Sequence, residues 1–276
     1  MIPEKSIEAN DPGPYTFSIR NTDTDCQDRL HLFALFSFMQ EAAYFNAESG
    51  GLGASTLDPM GFCWMLIRIS IRMDRLPHWG DTITLDTWSR GSKKLTFLRD
   101  SEFFDQNGSK IGCATSEWLI GTAGDHRPQR PELVLPDWQQ PPAARSVFEG
   151  PTPRPPMLDP ASASQPVLTL YADFSDIDRN QHVNNTRYVA WCLNAVHALS
   201  RTFEDPPDDI RVTGLDIHYI NEVRLGEKIH CYCQADNLLP PRSFLVEARR
   251  AVDSAVVFRA NILAAISINS TKSEQL

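Results

Sequence analysis

A proline-rich stretch near the middle of the chain limits what this sequence can fold into. More than half of the 20 prolines in the 276 residues lie between residues 128 and 166. Because proline lacks an amide hydrogen and fixes φ at about −65°, this stretch cannot form a continuous helix or a central strand. The sequence therefore predicts two domains, at residues 1–136 and 166–276, joined by a semi-rigid linker at residues 137–165.

Each predicted domain repeats one order of elements. Apolar residues recurring every three or four positions predict helices at residues 30–47 and 185–199. Residues 80–85 (GDTITL) also resemble residues 226–231 (GEKIHC), which indicates a weak internal repeat. Strands separated by Gly, Pro and Asp turns are predicted at residues 64–73, 81–89, 94–104, 110–122, 167–172, 212–219, 227–236, 243–251 and 255–268. This order predicts an α+β fold, a tandem hot-dog in which each long helix is wrapped by a curved antiparallel sheet.

Charge and composition exclude several classes of function. The net charge of −9 argues against a general nucleic-acid binder, which needs a basic surface. No apolar run is long enough to span a bilayer and no secretory signal is visible, so we expect a cytoplasmic protein. The six cysteines are interpreted as buried thiols, and His230, Cys231 and Cys233 lack the second ligand pair of a metal site. We expect no metal and no cofactor, because no phosphate-binding Gly-rich loop or flavin motif is present.

The residues that suggest chemistry lie in the polar segment 175–188. Asp178, Asn180 and His182 are two residues apart, so in an extended or loosely coiled segment their side chains project to one side. A helix is predicted to begin directly afterwards, capped by Asn184 or Asn185, and its unpaired amides suit a developing oxyanion. The alternative is a polar loop whose Asp and Asn residues form turns.

The same segment carries a resemblance to a known family. Asp178-x-Asn180-Gln-His182-Val-Asn-Asn-x-x-Tyr188 resembles the signature of plant-type and bacterial acyl-ACP thioesterases (ACP, acyl carrier protein). Further matches include residues 79–81 (WGD), 87–88 (TW) and 99–100 (RD), and the resemblance runs from residue 15 to residue 268. It implies hydrolysis of a long- or medium-chain acyl-ACP thioester, which releases a free fatty acid and ends chain elongation.

A second carboxylate is implied by the resemblance. The family has a glutamate within a Tyr-Arg-Arg-Glu-Cys passage, and residues 219–223 (YINEV) keep it as Glu222 but replace the cysteine with Val223. Valine cannot act as a nucleophile, which excludes a Cys–His mechanism at this position. Strand alternation would point Glu222 away from the apolar face, and a bulge at residues 220–221 is needed to re-aim it. The alternative is a solvated charge at a strand end.

The resemblance and the chemistry of the side chains together assign roles. Glu222 is predicted to act as general base on water, with His182 orienting it or relaying the proton and Asp178 holding the imidazole. The oxyanion is predicted to be stabilised by neighbouring donors, namely Asn180 and the backbone amides near Val183 and Asn184.

By family analogy, the N-terminal domain holds the apolar slot for the acyl chain. The residues predicted to line it are Trp64, Met65, Leu66 and Trp88. The alternative for each of them is an ordinary core position.

The implied partner is ACP carrying the acyl thioester. Carrier proteins are acidic, so docking requires a local basic patch. The candidates are Lys93-Lys94, Arg187 and Arg249-Arg250. Two other functions stay open, an acyl-CoA thioesterase of the same fold and a non-catalytic acyl-binding hot-dog protein. The sequence is compatible with a monomer or a homodimer.

Overall fold

The computed structural model describes residues 12–139, 145–159, 164–207, 209–238 and 240–267. The chain divides into two compact units, unit 1 ending at Thr152 and unit 2 beginning at Pro153. This boundary lies within the predicted linker at 137–165, of which residues 140–144 and 160–163 lie outside the described residues.

Unit 1 contains one long helix and an antiparallel sheet. Its helices are α1 (Leu32–Ser49), α2 (Ala54–Leu57) and α3 (Pro131–Val134). Its strands are β1 (Tyr15–Ser18), β2 (Phe62–Met73), β3 (Thr82–Lys93), β4 (Thr96–Asp105), β5 (Lys110–Thr122) and β6 (Pro128–Gln129). The strand order is β1-β3-β4-β5-β2, and β6 pairs with β5.

Helix α1 packs against this sheet through the apolar face that the sequence predicted. Leu35 and Ala42 have no exposed surface, and Phe38 stacks on Phe17 of β1 with ring centroids 4.7 Å apart. Burying a leucine side chain stabilises the fold by about 1.5–3 kcal/mol, and truncating Leu35 to alanine would also leave a cavity. The burial of one helical face therefore anchors α1 to the sheet.

Unit 2 repeats the arrangement. Its elements are β7 (Leu168–Tyr171), α4 (Asn185–Ser200), β8 (Asp209–Tyr219), β9 (Lys228–Ala235), β10 (Ser243–Arg250) and β11 (Val256–Ser267). The strand order is β8-β11-β10-β9-β7, again antiparallel, and α4 packs on β7, β9 and β10. Val189, Cys192 and Val196 form its buried face.

The predicted long helices and strands are present in both units. The bounds of β5 match the prediction, whereas β8 begins three residues before the predicted position 212. The short strands β1 and β6 were missed, and Ile268, at the end of the last predicted strand, lies outside the described residues. Within the described part of the chain, no helix is both long and apolar enough to cross a membrane.

The cysteines are free thiols, but not all are buried. Cys192, Cys231 and Cys233 are buried, whereas Cys26 is exposed and Cys63 and Cys113 are half-buried. Burial raises the pKa of Cys231 and of Cys233 to about 12, so both stay neutral at neutral pH. The prediction of buried thiols therefore holds for unit 2 and is wrong for unit 1.

Candidate active site

The loop between β7 and α4 contains a tight turn. The Asp178 N–H donates to the carbonyl of His182 at 3.0 Å, and the Gln181 N–H donates to the carbonyl of Asp178 at 3.0 Å. Gln181 has a φ of 65°, which places it in the left-handed region and reverses the chain. The backbone is therefore a reversing turn rather than the extended or loosely coiled segment that was predicted, because local turn chemistry prevails.

The Asp178 carboxylate stabilises this turn. Its Oδ1 accepts the Asn180 N–H at 2.8 Å, as in an Asx-turn, and its Oδ2 accepts a bond from Asn184 Nδ2 at 3.4 Å. Within the described part of the chain, no hydrogen bond joins this carboxylate to the His182 imidazole. The prediction that Asp178 holds His182 is wrong, because the carboxylate is used to close the loop.

The second loop of the site follows β8. The N–H groups of Ile220 and Asn221 both donate to the carbonyl of Val257, at 2.9 and 3.0 Å. Two residues facing one is the pattern of a β-bulge, so the predicted bulge is confirmed. Asn221 Nδ2 donates to Val256 O at 2.7 Å, and Arg250 Nη2 donates to the carbonyl of Glu222 at 3.0 Å. These bonds fix the backbone that carries the Glu222 carboxylate.

A backbone hydrogen bond brings the two loops together. The N–H of Val183 donates to the carbonyl of Val223 at 2.8 Å, and both valines are fully buried. His182 and Glu222 directly precede these two valines, and their side chains meet with 3.7 Å between Nε2 and Oε1. The imidazole is 17% exposed and the carboxylate 38% exposed, so both can reach solvent water. The pair can therefore exchange a proton directly after a small adjustment or through one water.

The backbone amides near the pair are already occupied. The Val183 N–H is bound to Val223, and the Asn184 N–H donates to the carbonyl of Asp176 at 2.8 Å. Each amide has one hydrogen, so the prediction that these two stabilise an oxyanion is wrong. The Asn180 side chain is exposed and makes no hydrogen bond with the described residues, which leaves its amide donor available.

Asn184 has a structural role instead. Its Oδ1 accepts the Thr186 N–H at 3.0 Å, which caps the first turn of α4. A residue of this type at the N-cap contributes about 1 kcal/mol to helix stability.

Tyr188 on α4 supports the carboxylate loop. Its hydroxyl oxygen accepts the N–H of Val223, the residue after Glu222, at 3.2 Å. Burial raises the pKa of Tyr188, and the negative charge of Glu222 adds to the shift, so the phenol stays neutral. The sequence motif includes Tyr188 but gives it no role, because its hydrogen-bond partner lies 35 residues away in the chain.

Two family models match the chain. One describes the acyl-ACP thioesterase N-terminal domain and matches residues 14–138, and the other describes the acyl-ACP thioesterase C-terminal domain and matches residues 162–262. The chain belongs to the acyl-ACP thioesterase family.

Curated members of the acyl-ACP thioesterase family are similar to the chain at low identity. Oleoyl-acyl carrier protein thioesterase 1 of Arabidopsis thaliana is 24% identical over 238 residues, which are 78% of this chain and 59% of that protein. The palmitoyl-acyl carrier protein thioesterase of Gossypium hirsutum is 30% identical over 189 residues, 65% of this chain and 46% of that protein. The chain therefore spans roughly half the length of these chloroplastic relatives.

Solved structures of the family share the fold. An acyl-ACP thioesterase from Bacteroides thetaiotaomicron has a TM-score of 0.75 and 25% identity, covering 92% of this chain and 97% of its own. The 12:0-ACP thioesterase from Umbellularia californica has a TM-score of 0.72 and 21% identity, with the same coverage of 92% and 97%. The predicted α+β tandem hot-dog fold is confirmed.

The four residues of unit 1 that family analogy assigns to an acyl slot do not share one surface. Trp64 packs edge-on against Phe97 at 4.8 Å, and Leu66 shares its face of β2. Met65 lies on the opposite face, where its thioether would contact a Cβ added at Gly121.

Trp88 is also set apart from that cluster. Its indole nitrogen donates to the carbonyl of Arg145 at 3.0 Å, and the Arg145 guanidinium lies 4.2 Å from the ring centroid. The prediction of one slot lined by all four residues is therefore wrong, because the alternation of β2 separates Met65 from Trp64 and Leu66, and Trp88 on β3 packs with Arg145.

Proposed function

We propose that the chain hydrolyses the thioester of long- or medium-chain acyl-ACP and releases a free fatty acid, which ends chain elongation. The observation that carries this proposal is the contact between His182 and Glu222, 3.7 Å apart and accessible to water, in a chain of this family. The cytoplasmic location expected from the sequence stays a prediction.

The reaction is assigned to these side chains as follows. Glu222 removes a proton from water, and the hydroxide attacks the thioester carbonyl carbon. The Asn180 amide donates to the oxyanion that forms. When the carbon–sulfur bond breaks, His182 delivers the proton from Glu222 to the thiolate, so the products are a carboxylic acid and a thiol. Val223 lies where a cysteine would be needed, so no acyl-enzyme forms at that position.

The test is hydrolysis by the purified chain of matched acyl-ACP and acyl-CoA substrates with chains from medium to long. We expect a higher kcat/KM on acyl-ACP, and Glu222→Gln lowers kcat by about 10²–10⁴-fold on either carrier. A higher kcat/KM on acyl-CoA would identify the chain as an acyl-CoA thioesterase. Tight acyl binding without turnover would identify a non-catalytic acyl-binding protein.

For the docking of ACP, the structure favours one of the three basic candidates. Arg187 is ion-paired with Asp176 at 2.6 Å, and the arginines of the Arg249-Arg250 pair bind acidic side chains within unit 2. Lys93 and Lys94, at the β3–β4 turn, are exposed and have no ion-pair partner among the described residues.

We infer that Lys93 and Lys94 attract the acidic carrier. Replacing both with glutamate raises KM for acyl-ACP and leaves KM for acyl-CoA unchanged. At high salt, the difference in KM for acyl-ACP between this variant and the parent decreases. An equal KM for acyl-ACP in this variant and in the parent would rule this patch out.

A further inference from the structure

An arginine in unit 1 points from the sheet towards helix α1. Arg99 lies on β4, and its Nη1 donates to Asn46 Oδ1 on α1 at 2.7 Å and to Thr87 Oγ1 on β3 at 3.3 Å. Asn46 is itself oriented, because its Nδ2 donates to the carbonyl of Pro12 at 3.1 Å. Neutral partners therefore hold the guanidinium between the sheet and the helix.

This guanidinium has no carboxylate partner among the described residues. Both of its hydrogen bonds use Nη1, so Nε and Nη2 are not engaged by the described part of the chain. Other largely buried arginines are ion-paired, such as Arg68 with Glu117 and Arg259 with Glu247. Burial lowers the pKa of Arg99 to about 10, with Tyr15 opposing the shift, so the side chain is still charged at neutral pH. A partly buried charge without a counter-charge is costly and marks a candidate binding site.

Arg99 is not fully enclosed by the described part of the chain. Arg99 is only half-buried, and the buried side-chain atoms without a hydrogen-bond partner within the described residues are Thr152 Oγ1 and Arg250 Nε. Within the described residues, Nε and Nη2 of Arg99 are therefore not among the fully enclosed side-chain atoms that lack a hydrogen-bond partner. They form one of the edges on which a guanidinium binds both oxygens of a carboxylate.

The surroundings of Arg99 combine a polar and an apolar side. Ser101 and Thr87 share a hydrogen bond of 3.0 Å beside the guanidinium. In the other direction, Phe97 is two residues away on the same face of β4, a distance of about 7 Å. Its ring packs against Trp64 at 4.8 Å and Trp138 at 5.2 Å. The Nε and Nη2 donors of Arg99, which can bind an anion, therefore lie next to an aromatic cluster.

We propose that Arg99 forms a second binding site, within unit 1, for a carboxylate at the end of an apolar chain. Two sources share this chemistry, a free fatty acid and the carboxylated far end of an acyl thioester. The choice of a fatty chain as ligand rests on the proposed function, whereas the anion site itself rests on the geometry of Arg99.

The first experiment measures binding of dodecanoate and of dodecan-1-ol by calorimetry. We expect dodecanoate to bind about ten- to a hundredfold more tightly than the alcohol, because charge-assisted hydrogen bonds to the guanidinium are lost with the alcohol. Arg99→Met removes this difference, and Arg127→Met, an equal change of charge on an exposed loop of the same unit, leaves it in place. Equal dodecanoate affinity in the parent and Arg99→Met would overturn the proposal.

Folding of the variants is checked by thermal melting. If Arg99→Met does not fold, Arg99→Lys keeps the charge but lacks the fork, and we expect dodecanoate to bind it about tenfold more weakly than the parent. In the unmodified protein, equal affinity for dodecanoate and dodecan-1-ol would by itself overturn the proposal.

The two sources are separated with thioesters bound to Glu222→Gln, which slows their hydrolysis. Tighter binding of dodecanedioyl-CoA than of dodecanoyl-CoA, lost when Arg99→Met is added, identifies the far end of a substrate chain. Equal binding of the two thioesters, with Arg99-dependent binding of dodecanoate, identifies the free fatty acid. Arg99-dependent binding in a chain that hydrolyses no acyl-ACP would overturn the proposed function and leave this site standing.

Discussion

The loop before α1 in unit 1 and the loop before α4 in unit 2 have the same backbone bonding but different side chains. In unit 1 the Asp25 N–H donates to Arg29 O at 2.8 Å, and the Asp28 N–H donates to Asp25 O at 3.0 Å, with a φ of 61° at Asp28. The turn at Asp178 in unit 2 has these same two bonds and the same left-handed residue. The turn is therefore a scaffold common to both units.

The bond that joins the two loops of the site is also repeated. Leu30 N–H donates to the carbonyl of Pro77 at 2.8 Å in unit 1, where Val183 N–H donates to Val223 in unit 2. Arg29 therefore occupies the position of His182, and Leu76, which precedes Pro77, occupies that of Glu222.

In unit 1 the arginine closes the loop on itself. Arg29 Nε donates to Asp25 Oδ2 at 3.0 Å, and a leucine has no proton to exchange. Of the two loop pairs, the one in unit 2 carries the imidazole and the carboxylate that the proposed reaction uses.

The largest expected difference between the loops is in turnover. His182→Ala removes the proton relay, so kcat on acyl-ACP falls by about 10²–10⁴-fold. Arg29→Ala at the matching position of unit 1 leaves kcat within a few-fold of the parent. Steady-state kinetics of both variants, with thermal melting as the control for folding, measures this difference. Equal losses of kcat in the two variants would mean that the loops do not differ in function.

A second difference concerns support of the carboxylate. Tyr188 bonds the Val223 N–H. At the matching positions of unit 1, Leu35 has no hydroxyl and Pro77 has no amide hydrogen. Tyr188→Phe leaves a buried N–H without its partner, at a cost of about 1–3 kcal/mol, and we expect kcat to fall about tenfold with KM unchanged.

The matched control is Tyr219→Phe, which removes a 3.2 Å bond to the carbonyl of Asn185 instead. We expect it to lower the melting temperature but to keep kcat. If Tyr188→Phe behaved in the same way, Tyr188 would contribute to stability without positioning Glu222.

A smaller difference is expected at the helix caps. Asn184 caps α4 through its side chain, whereas His31 at the N-cap of α1 makes no side-chain capping bond. Asn184→Ala therefore lowers the free energy of unfolding by about 1 kcal/mol, and His31→Ala lowers it by less. Chemical denaturation of both variants checks this order.

The smallest expected effect is acid sensitivity of the unit 1 loop. Burial alone would raise the pKa of Asp25, but hydrogen bonds from Arg29 and Gln27 outweigh it and hold this pKa below the ordinary 3.8. A carboxyl with a lowered pKa stabilises the fold above its unfolded value, and this contribution is lost as the pH falls below 3.8.

We therefore expect Asp25→Asn to cost less than about 1 kcal/mol at neutral pH and less in acid. Glu132→Gln, at an exposed position of the same unit, serves as control. The free energy of unfolding of both variants, measured at neutral pH and below pH 3.8, checks this expectation. A cost of Asp25→Asn that did not change with pH would contradict the assignment.

Local patterns were sufficient for much of the fold and part of the site. The spacing of Leu35 and Met39 predicted one face of α1, and the break after Tyr219 predicted the bulge that re-aims Glu222. The failures arose where short polar side chains bond their own backbone. Asp178 forms a turn that alternation could not reveal, and the amides after His182 are taken by carbonyls from elsewhere in unit 2.

The sequence by itself determined the order of elements, the family motif and the replacement of a cysteine by Val223, because these depend on residue identity and short-range spacing. Only the tertiary structure decided which groups meet. His182 and Glu222 are 40 positions apart in the chain numbering, and the Val183–Val223 hydrogen bond brings them to 3.7 Å. Likewise, Arg99 is one charged residue in a strand pattern until the fold buries it beside neutral partners. Contacts of this kind depend on strand pairing and loop closure over long separations, which no local pattern encodes.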